Sequence, residues 1–556
     1  MPSNPLEQGI SWLIRQEAFA QAVQAIPGGP AIANRFIIKR LVRAAPPRPM
    51  PFSLWTPQCD QQDPSCYVSW TGLFDRRYTA RHLPPDEAGG RRQPAWEALQ
   101  PLFLRQGFRP SVRSSALFAF FAQWFTEAFL RTSPRDPRRT TSNHEIDLAQ
   151  IYGLTAEVTA ALREPGSGRL RTRRLGRRLG EAEFPARLFG DDGALQPGLA
   201  GLPYLPDDPA TVDLTPLGRG HPLPPPKGEM RTVDVLLRRL RLPEPDARAR
   251  WQRLHATGLE TGNATLLHAA INTILIRQHN RACDMLRQDN PGWDQDRVFE
   301  TARATTLVAL LRLAVNEYIN HIAGLPFRLS LDRSFAERQG WYRTNRISVE
   351  FNLLYRWHSA VPDPLVIGDR RLHWQEYGMN PALMEELGPE RIIAAASRQR
   401  AGQIGLRNTP EFLLGVDQAS IAFGRATRVQ PYNAYRRHFG LDPYRSFAEL
   451  TGDPDLAAQL EALYGQVDDV ELVVGLLAEK PYPPALFGQL MLVMVGSDAF
   501  THILTNPLLA GRVYEACFSE ASQRLIEGVT SLQGLVEANA QGVPRDEVLA
   551  SFTAAD

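Results

Sequence analysis

Two residue pairs in this 556-residue chain have the types and spacing to do chemistry. Tyr355 stands three residues before His358 in the run Glu350-Phe351-Asn352-Leu353-Leu354-Tyr355-Arg356-Trp357-His358, which is largely apolar and compatible with a helix. Positions i and i+3 share one helix face. An imidazole there can ligate a metal, and a phenol beside it can lose one electron to become a radical. Gln123 and Glu127 stand four residues apart in Phe118-Ala119-Phe120-Phe121-Ala122-Gln123-Trp124-Phe125-Thr126-Glu127, again on one helix face. A carboxylate takes and returns protons near neutral pH only where burial raises its pKa.

The elements that must position these residues are helices. Apolar residues recur with a period of 3.6 over residues 115–131, 265–287, 293–323, 347–358, 410–425, 456–465 and 519–538. Convincing alternating strands are scarce. The basic run 169–178 follows the turn signal Pro165-Gly166-Ser167-Gly168 and predicts an exposed hairpin rather than a phosphate or lipid-headgroup patch. Residues 1–50 predict short amphipathic helices. Ile10, Trp12, Leu13, Ile14, Phe19 and Val23 form one apolar set, and Ile37, Ile38, Leu41 and Val42 alternate with Lys39, Arg40 and Arg43. Such a segment either lies on a membrane surface or packs on the main domain. Residues 51–556 read as one large catalytic domain, mainly α with few short strands.

Composition narrows the function classes. Hydrophobic residues make up 43% of the chain, enough for a buried core, and the net charge of +2 implies no nucleic-acid or other polyanion partner. The 45 prolines exceed the usual ~5% and gather at 44–51 and 222–226, which predicts long extended connections. Four cysteines are too few for a disulfide-stapled secreted domain, and Cys59 and Cys66 are expected to be free thiols. The N-terminus lacks the charged and apolar regions of a signal peptide, and no apolar run approaches the ~20 residues of a membrane span. The expected location is cytoplasmic or peripheral to a membrane. No zinc spacing, phosphate-binding glycine loop or nucleophile elbow is present. His279 is expected to be structural.

The Tyr355–His358 run resembles the EFN-x-LY-x-WH segment of the prostaglandin endoperoxide synthases (cyclooxygenases), in the animal haem peroxidase superfamily. Further blocks continue the resemblance in the family's order, from about residue 36 to 510. They are the segments 70–79 and 81–85, Asp147-Leu148-Ala149-Gln150-Ile151-Tyr152-Gly153, Arg277-Gln278-His279-Asn280-Arg281, and Gln430-Pro431-Tyr432-Asn433 with Tyr435-Arg436-Arg437 and Phe439-Gly440. The resemblance implies a haem peroxidase-like helical fold with haem b as cofactor. It makes His358 the proximal iron ligand and Tyr355 the tyrosine whose radical removes hydrogen from a fatty acid. Tyr318 matches a second tyrosine that hydrogen-bonds the first. Calcium stays open. Some superfamily members bind it near Thr140, Thr141, Ser142 and Asp147, whereas cyclooxygenases do not.

The chain departs from the family where peroxide is handled. The family's distal helix reads FAQ-x-FTH; Gln123 is kept, but Glu127 stands in place of the histidine that moves protons during O–O cleavage. Val473 replaces a tyrosine that contacts the proximal histidine through solvent. The implied lipid channel is remodelled as well. Arg43 matches the arginine that binds the substrate carboxylate, and Leu325 replaces the adjacent tyrosine. Ile319, Phe487 and Leu492 match apolar channel positions, and Ala499 matches a serine.

The leading expectation is a haem-dependent fatty-acid dioxygenase that forms a hydroperoxide other than a prostaglandin endoperoxide from a lipid and O2. The alternative is a peroxide-driven peroxidase or peroxygenase using Glu127. A third is a haem-binding scaffold without turnover. A homodimer and a peripheral membrane contact are compatible with each.

Overall fold

A computed structural model describes residues 12–13, 16–43, 75–86, 91–218, 223–342 and 346–555. Cys59, Cys66, the Pro-rich segment 44–51 and residues 70–74 of the first family block lie outside the described residues. So does the side chain of Arg43.

Helices dominate, and one of them organises the rest. Leu266–Asp289 runs 24 residues, roughly 36 Å at 1.5 Å per residue. The Thr265 hydroxyl caps it by accepting from the His268 N–H. Apolar residues on every side bury it through most of its length. Against it pack Ala116–Thr126, Gln295–Leu313, Pro389–Arg398 and Leu532–Asn539. The family block at 277–281 does the joining. Arg277 pairs with the buried Glu390 at 2.5 Å, Asn280 Oδ1 accepts from the Leu170 N–H at 2.8 Å, and His279 Nδ1 meets the Tyr152 hydroxyl at 2.9 Å. The structural reading of His279 matches this arrangement.

The Asp147–Gly153 loop is fastened to the Gln123 helix, because Gln150 donates to the Trp124 carbonyl at 2.6 Å. It also needs a glycine opposite it. A Cβ on Gly258 would stand 1.9 Å from the Ala149 oxygen, so only glycine lets the two backbones approach.

Several helix boundaries differ from expectation for local reasons. The 293–323 stretch is continuous, but its α-helix Gln295–Leu313 passes into a π-helical turn at Ala314–Ile319 before Asn320–Ala323. Such turns recur at functional sites, and this one carries Tyr318 and Ile319. The 519–538 stretch breaks into Glu520–Gly528 and Leu532–Asn539. Gly528 and the β-branched pair Val529 and Thr530 favour an end, and Ser531 starts the second helix by accepting from the Gly534 N–H.

Strands are few among the described residues, in three two-stranded pairs. The basic run forms the antiparallel hairpin Thr172–Arg177 with Gly180–Pro185. Its arginines are committed within the protein. Arg169 pairs with Glu183 at 2.6 Å, Arg173 pairs with Glu385, and Arg177 donates to the Glu385 and Leu387 carbonyls.

Near the N-terminus, Glu17–Ala25 and Gly29–Arg43 are helical. The second buries Ile37, Ile38 and Val42 and packs along Gln489–Leu504, while Ile32 and Phe36 stay exposed. Asn34 exchanges two 3.0 Å hydrogen bonds with the Ser330 backbone.

Candidate functional site

The helix expected over 347–358 ends sooner. Val349–Leu354 is α-helical, with Ser348 accepting from the Phe351 N–H at 2.9 Å. Tyr355 then leaves the helix at φ −96°, ψ 34°, and His358 opens a separate single turn, His358–Ala360. Tyr355 and His358 therefore do not share a helix face. Tyr355 and Trp357 pack their rings on each other, a contact that positions i and i+2 of a continuous helix do not make. The unwound turn sends the phenol and the imidazole to different neighbours. Glu350 anchors the segment, its buried carboxylate accepting from the Tyr435 hydroxyl at 2.8 Å.

The imidazole goes to a carboxylate. His358 Nδ1 lies 2.6 Å from Oδ1 of Asp417, on the helix Leu414–Ala426. Asp417 is completely buried, and its charge acts on the Arg356 guanidinium as well as facing this imidazole. A carboxylate accepting from Nδ1–H leaves Nε2 as the nitrogen offered to a metal, and it raises that nitrogen's basicity. Asp417 was not evident from sequence. Its one signal is an acidic residue on a face otherwise made by Leu414, Ile421 and Gly424. Val473 is buried in the neighbouring helix Leu472–Ala478.

The phenol goes to an apolar cavity. Tyr355 packs on Trp357 with ring centroids 4.6 Å apart and on Phe351 at 5.6 Å. It lines a cavity of about 10 Å³ with Phe125, Tyr318, Ile319, Phe351 and Ala499. Burial pushes the Tyr355 phenol well above its ordinary range, so it stays protonated and loses its proton only together with an electron. Burial, and then the neighbouring Tyr355, do the same for Tyr318. The two phenols face each other across the cavity. Their hydroxyl–hydroxyl interaction raises the pKa of Tyr318 and lowers that of Tyr355, the sense of Tyr318 donating to Tyr355 as the family resemblance implies.

The other channel positions divide. Ile319 and Ala499 line the cavity. Phe487 packs on Trp357 at 5.2 Å instead. Leu492 is half-buried on Gln489–Leu504, and Leu325 is half-buried just beyond Asn320–Ala323.

The Gln123 helix, Ala116–Thr126, packs on the His358 turn through Phe118 and Trp357, 6.0 Å apart. Every residue of that helix except Gln123 is buried. Its exposed amide donates to Glu127 Oε1 at 3.2 Å, and the Glu127 side chain is 19% exposed. The other carboxylate oxygen faces His268 Nε2 at 3.4 Å. His268 is a second residue that sequence reasoning missed, because it sits in the apolar run of the long helix.

The calcium positions are occupied by each other. The Thr140 and Ser142 hydroxyls lie 2.9 Å apart, and Asp147 accepts from Asn143 and from the Ala149 N–H. Burial pushes the Asp147 carboxyl up to about 6. Among the described residues no group of three or more His, Cys, Asp and Glu side chains is placed to hold a metal ion.

A tethered imidazole, an enclosed phenol and an open Gln–Glu pair on one mainly helical scaffold are the parts of an oxidoreductase site. Residues 226–503 match the family model described as animal haem peroxidase. Prostaglandin G/H synthase 2 of Equus caballus is 32% identical over 493 residues, covering 86% of this chain and 73% of that protein. Among solved structures, the fatty acid alpha-dioxygenase of Oryza sativa superposes with a TM-score of 0.66 at 14% identity, over 99% of this chain and 97% of that one. Peroxidase A from Dictyostelium discoideum gives 0.62 at 17% identity, over 90% and 97%. The chain belongs to the animal haem peroxidase family. It is an oxidoreductase, and the family's cofactor is haem.

The residues present fit that group. The Asp417-held imidazole suits an iron ligand, and Gln123 and Glu127 offer polar groups from the adjoining helix.

Proposed function

We propose that this protein is a haem-dependent fatty-acid dioxygenase in which Tyr355 removes hydrogen from a lipid. The observation that carries this reading is the Tyr355 phenol in an apolar cavity, three residues from an imidazole tied to Asp417. His358 would hold the iron through Nε2, with Gln123 and Glu127 toward the other face. Haem, when bound, supplies the one-electron oxidation of the phenol. The Tyr355 oxygen radical then takes a hydrogen atom from a lipid C–H bond. O2 adds to the carbon radical, and the peroxyl radical takes the hydrogen back from Tyr355. The balance is lipid plus O2 to lipid hydroperoxide, with the tyrosyl radical regenerated.

The relative at 32% identity is named a prostaglandin G/H synthase, which supports a lipid as the substrate class. The cavity of about 10 Å³ holds about one water molecule. Side chains around it must therefore move for a chain to enter. Arg43, at the end of a helix packed along the one bearing Leu492 and Ala499, is our candidate for the lipid carboxylate. Of the eleven large exposed apolar residues described, six lie between Trp12 and Phe36, so this segment is the proposed contact with a membrane surface. No described helix is long and apolar enough to cross a membrane.

Oxygen uptake by haem-loaded protein on a panel of long-chain fatty acids tests the reading. Uptake with a hydroperoxide at one defined carbon is expected; no uptake on any lipid would remove it. The second reading, a peroxide-driven peroxidase, is favoured by the Gln123–Glu127 contact at an open position. Peroxide turnover that survives Glu127→Ala would end it.

A further inference from the structure

The Glu127 carboxylate is not alone. His268 enters from the long helix with its ring fully buried, and its Nε2 stands 3.4 Å from Glu127 Oε2. On its other side Nδ1 lies 2.8 Å from the Thr265 hydroxyl. If Thr265 donates to Nδ1, the ring proton sits on Nε2 and faces the carboxylate. Both facing atoms are buried, and neither has a hydrogen-bond partner. The contact is close enough for charge to act and too bent for a hydrogen bond. A buried histidine serving only the core would satisfy both nitrogens, and a carboxylate serving only Gln123 would not aim its second oxygen at an imidazole. Two unsatisfied groups facing each other beside an exposed amide fit a small ligand with its own oxygens and one proton.

We propose that His268 and Glu127 form a split acid–base pair that accepts and returns the proton of a hydroperoxide bound beside Gln123. This rests on the reading that haem lies against His358. The helix that carries Gln123 has no imidazole of its own at position 127, and the long helix supplies one across the gap. An imidazole that keeps its proton on Nε2 holds the carboxylate toward the bound peroxide, while Glu127 takes and returns the transferred proton. The proton leaves the inner peroxide oxygen for Glu127 Oε2, with His268 Nε2–H steadying the carboxylate. It returns to the outer oxygen as the O–O bond breaks, so that oxygen departs as a neutral alcohol, or as water from hydrogen peroxide. Haem, when bound, would supply the two electrons that reduce this bond. Gln123 orients the peroxide and carries no proton.

The test uses haem-loaded protein without any lipid, so its failure leaves the dioxygenase reading standing, and absent lipid oxidation leaves the pair standing. Two rates are read in Glu127→Gln, His268→Gln and the double variant. One is the hydrogen peroxide-induced change in haem absorbance. The other is cyanide association with the ferric protein, in which hydrogen cyanide must also leave its proton on a nearby base. Each single variant is expected to lose about 100-fold or more in both rates, and the double variant no more than the worse single, because the pair acts as a unit. His268→Gln within about twofold of the unaltered protein in both rates would overturn the proposal, as would losses that multiply in the double variant. Thr265→Ala keeps the imidazole while removing its Nδ1 partner, and it decides the matter if His268→Gln fails to retain haem. A roughly tenfold loss at unchanged haem content supports the pair, and unchanged rates overturn it.

Discussion

His358 Nδ1 and Asp417 Oδ1 lie 2.6 Å apart, although the residues come from a turn after Val349–Leu354 and from the separate helix Leu414–Ala426. The pair fixes which ring nitrogen faces outward, and it gives the imidazole more electron density than a neutral acceptor would.

Removing that carboxylate should loosen the cofactor. Asp417→Ala is expected to weaken haem binding about 10–100-fold, read by titrating haem into the haem-free protein. Asp417→Asn keeps an acceptor and loses the charge, so its affinity falls less while the iron's reduction potential rises. An unchanged potential in Asp417→Asn would mean that the carboxylate does not tune the ligand.

Ala499 lines the Tyr355 cavity, whose volume is about 10 Å³. Ala499→Leu adds three carbons to a space that small. It is expected to abolish lipid oxidation while haem binding stays intact, with overpacking costing ~1–3 kcal/mol of stability. Oxygen uptake alongside a urea unfolding curve separates the two effects. Full lipid turnover in this variant would place the substrate elsewhere.

Periodicity and motifs exposed different parts of this molecule. The long helix was legible because its apolar residues and Thr265 cap speak locally, and Leu266–Asp289 lies within about two residues of the expected 265–287. Tyr355, His358, Gln123 and Glu127 were legible because motif spacing survives in a linear string. The helix end at Leu354 was not, since Tyr355 to His358 keeps a helix-compatible pattern and only tertiary packing unwinds it. Asp417 and His268 were invisible for a related reason. Each is one polar side chain on an apolar face, and its meaning comes from a partner 59 residues away in one case and on another helix in the other. The blocks at 277–281 and 430–440 were recognisable, yet their work is scaffolding, through Arg277 on Glu390 and Tyr435 on Glu350.

His279 offers a pH test. Burial, against the opposing Gly168 carbonyl, lowers its pKa to about 3, so the ring is neutral in the folded protein. In the unfolded chain it titrates near 6.5. Between those values the unfolded state binds one more proton, so this residue's contribution falls as pH drops from about 6.5 toward 3. His279→Gln should reduce the slope of unfolding free energy against pH by up to ~1.4 kcal/mol per pH unit in that window. Urea unfolding at pH 7, 6 and 5 gives the slope. Parallel curves for the two proteins would show that the ring keeps its proton on folding.

The central claim is that Tyr355 performs the hydrogen abstraction. The direct measurement is oxygen consumption by haem-loaded Tyr355→Phe on the best fatty-acid substrate, with haem content matched to the unaltered protein. Phenylalanine keeps the ring packing on Trp357 and Phe351 and removes only the hydroxyl. The account predicts loss of uptake to background at full haem occupancy. Uptake at the unaltered rate would contradict it.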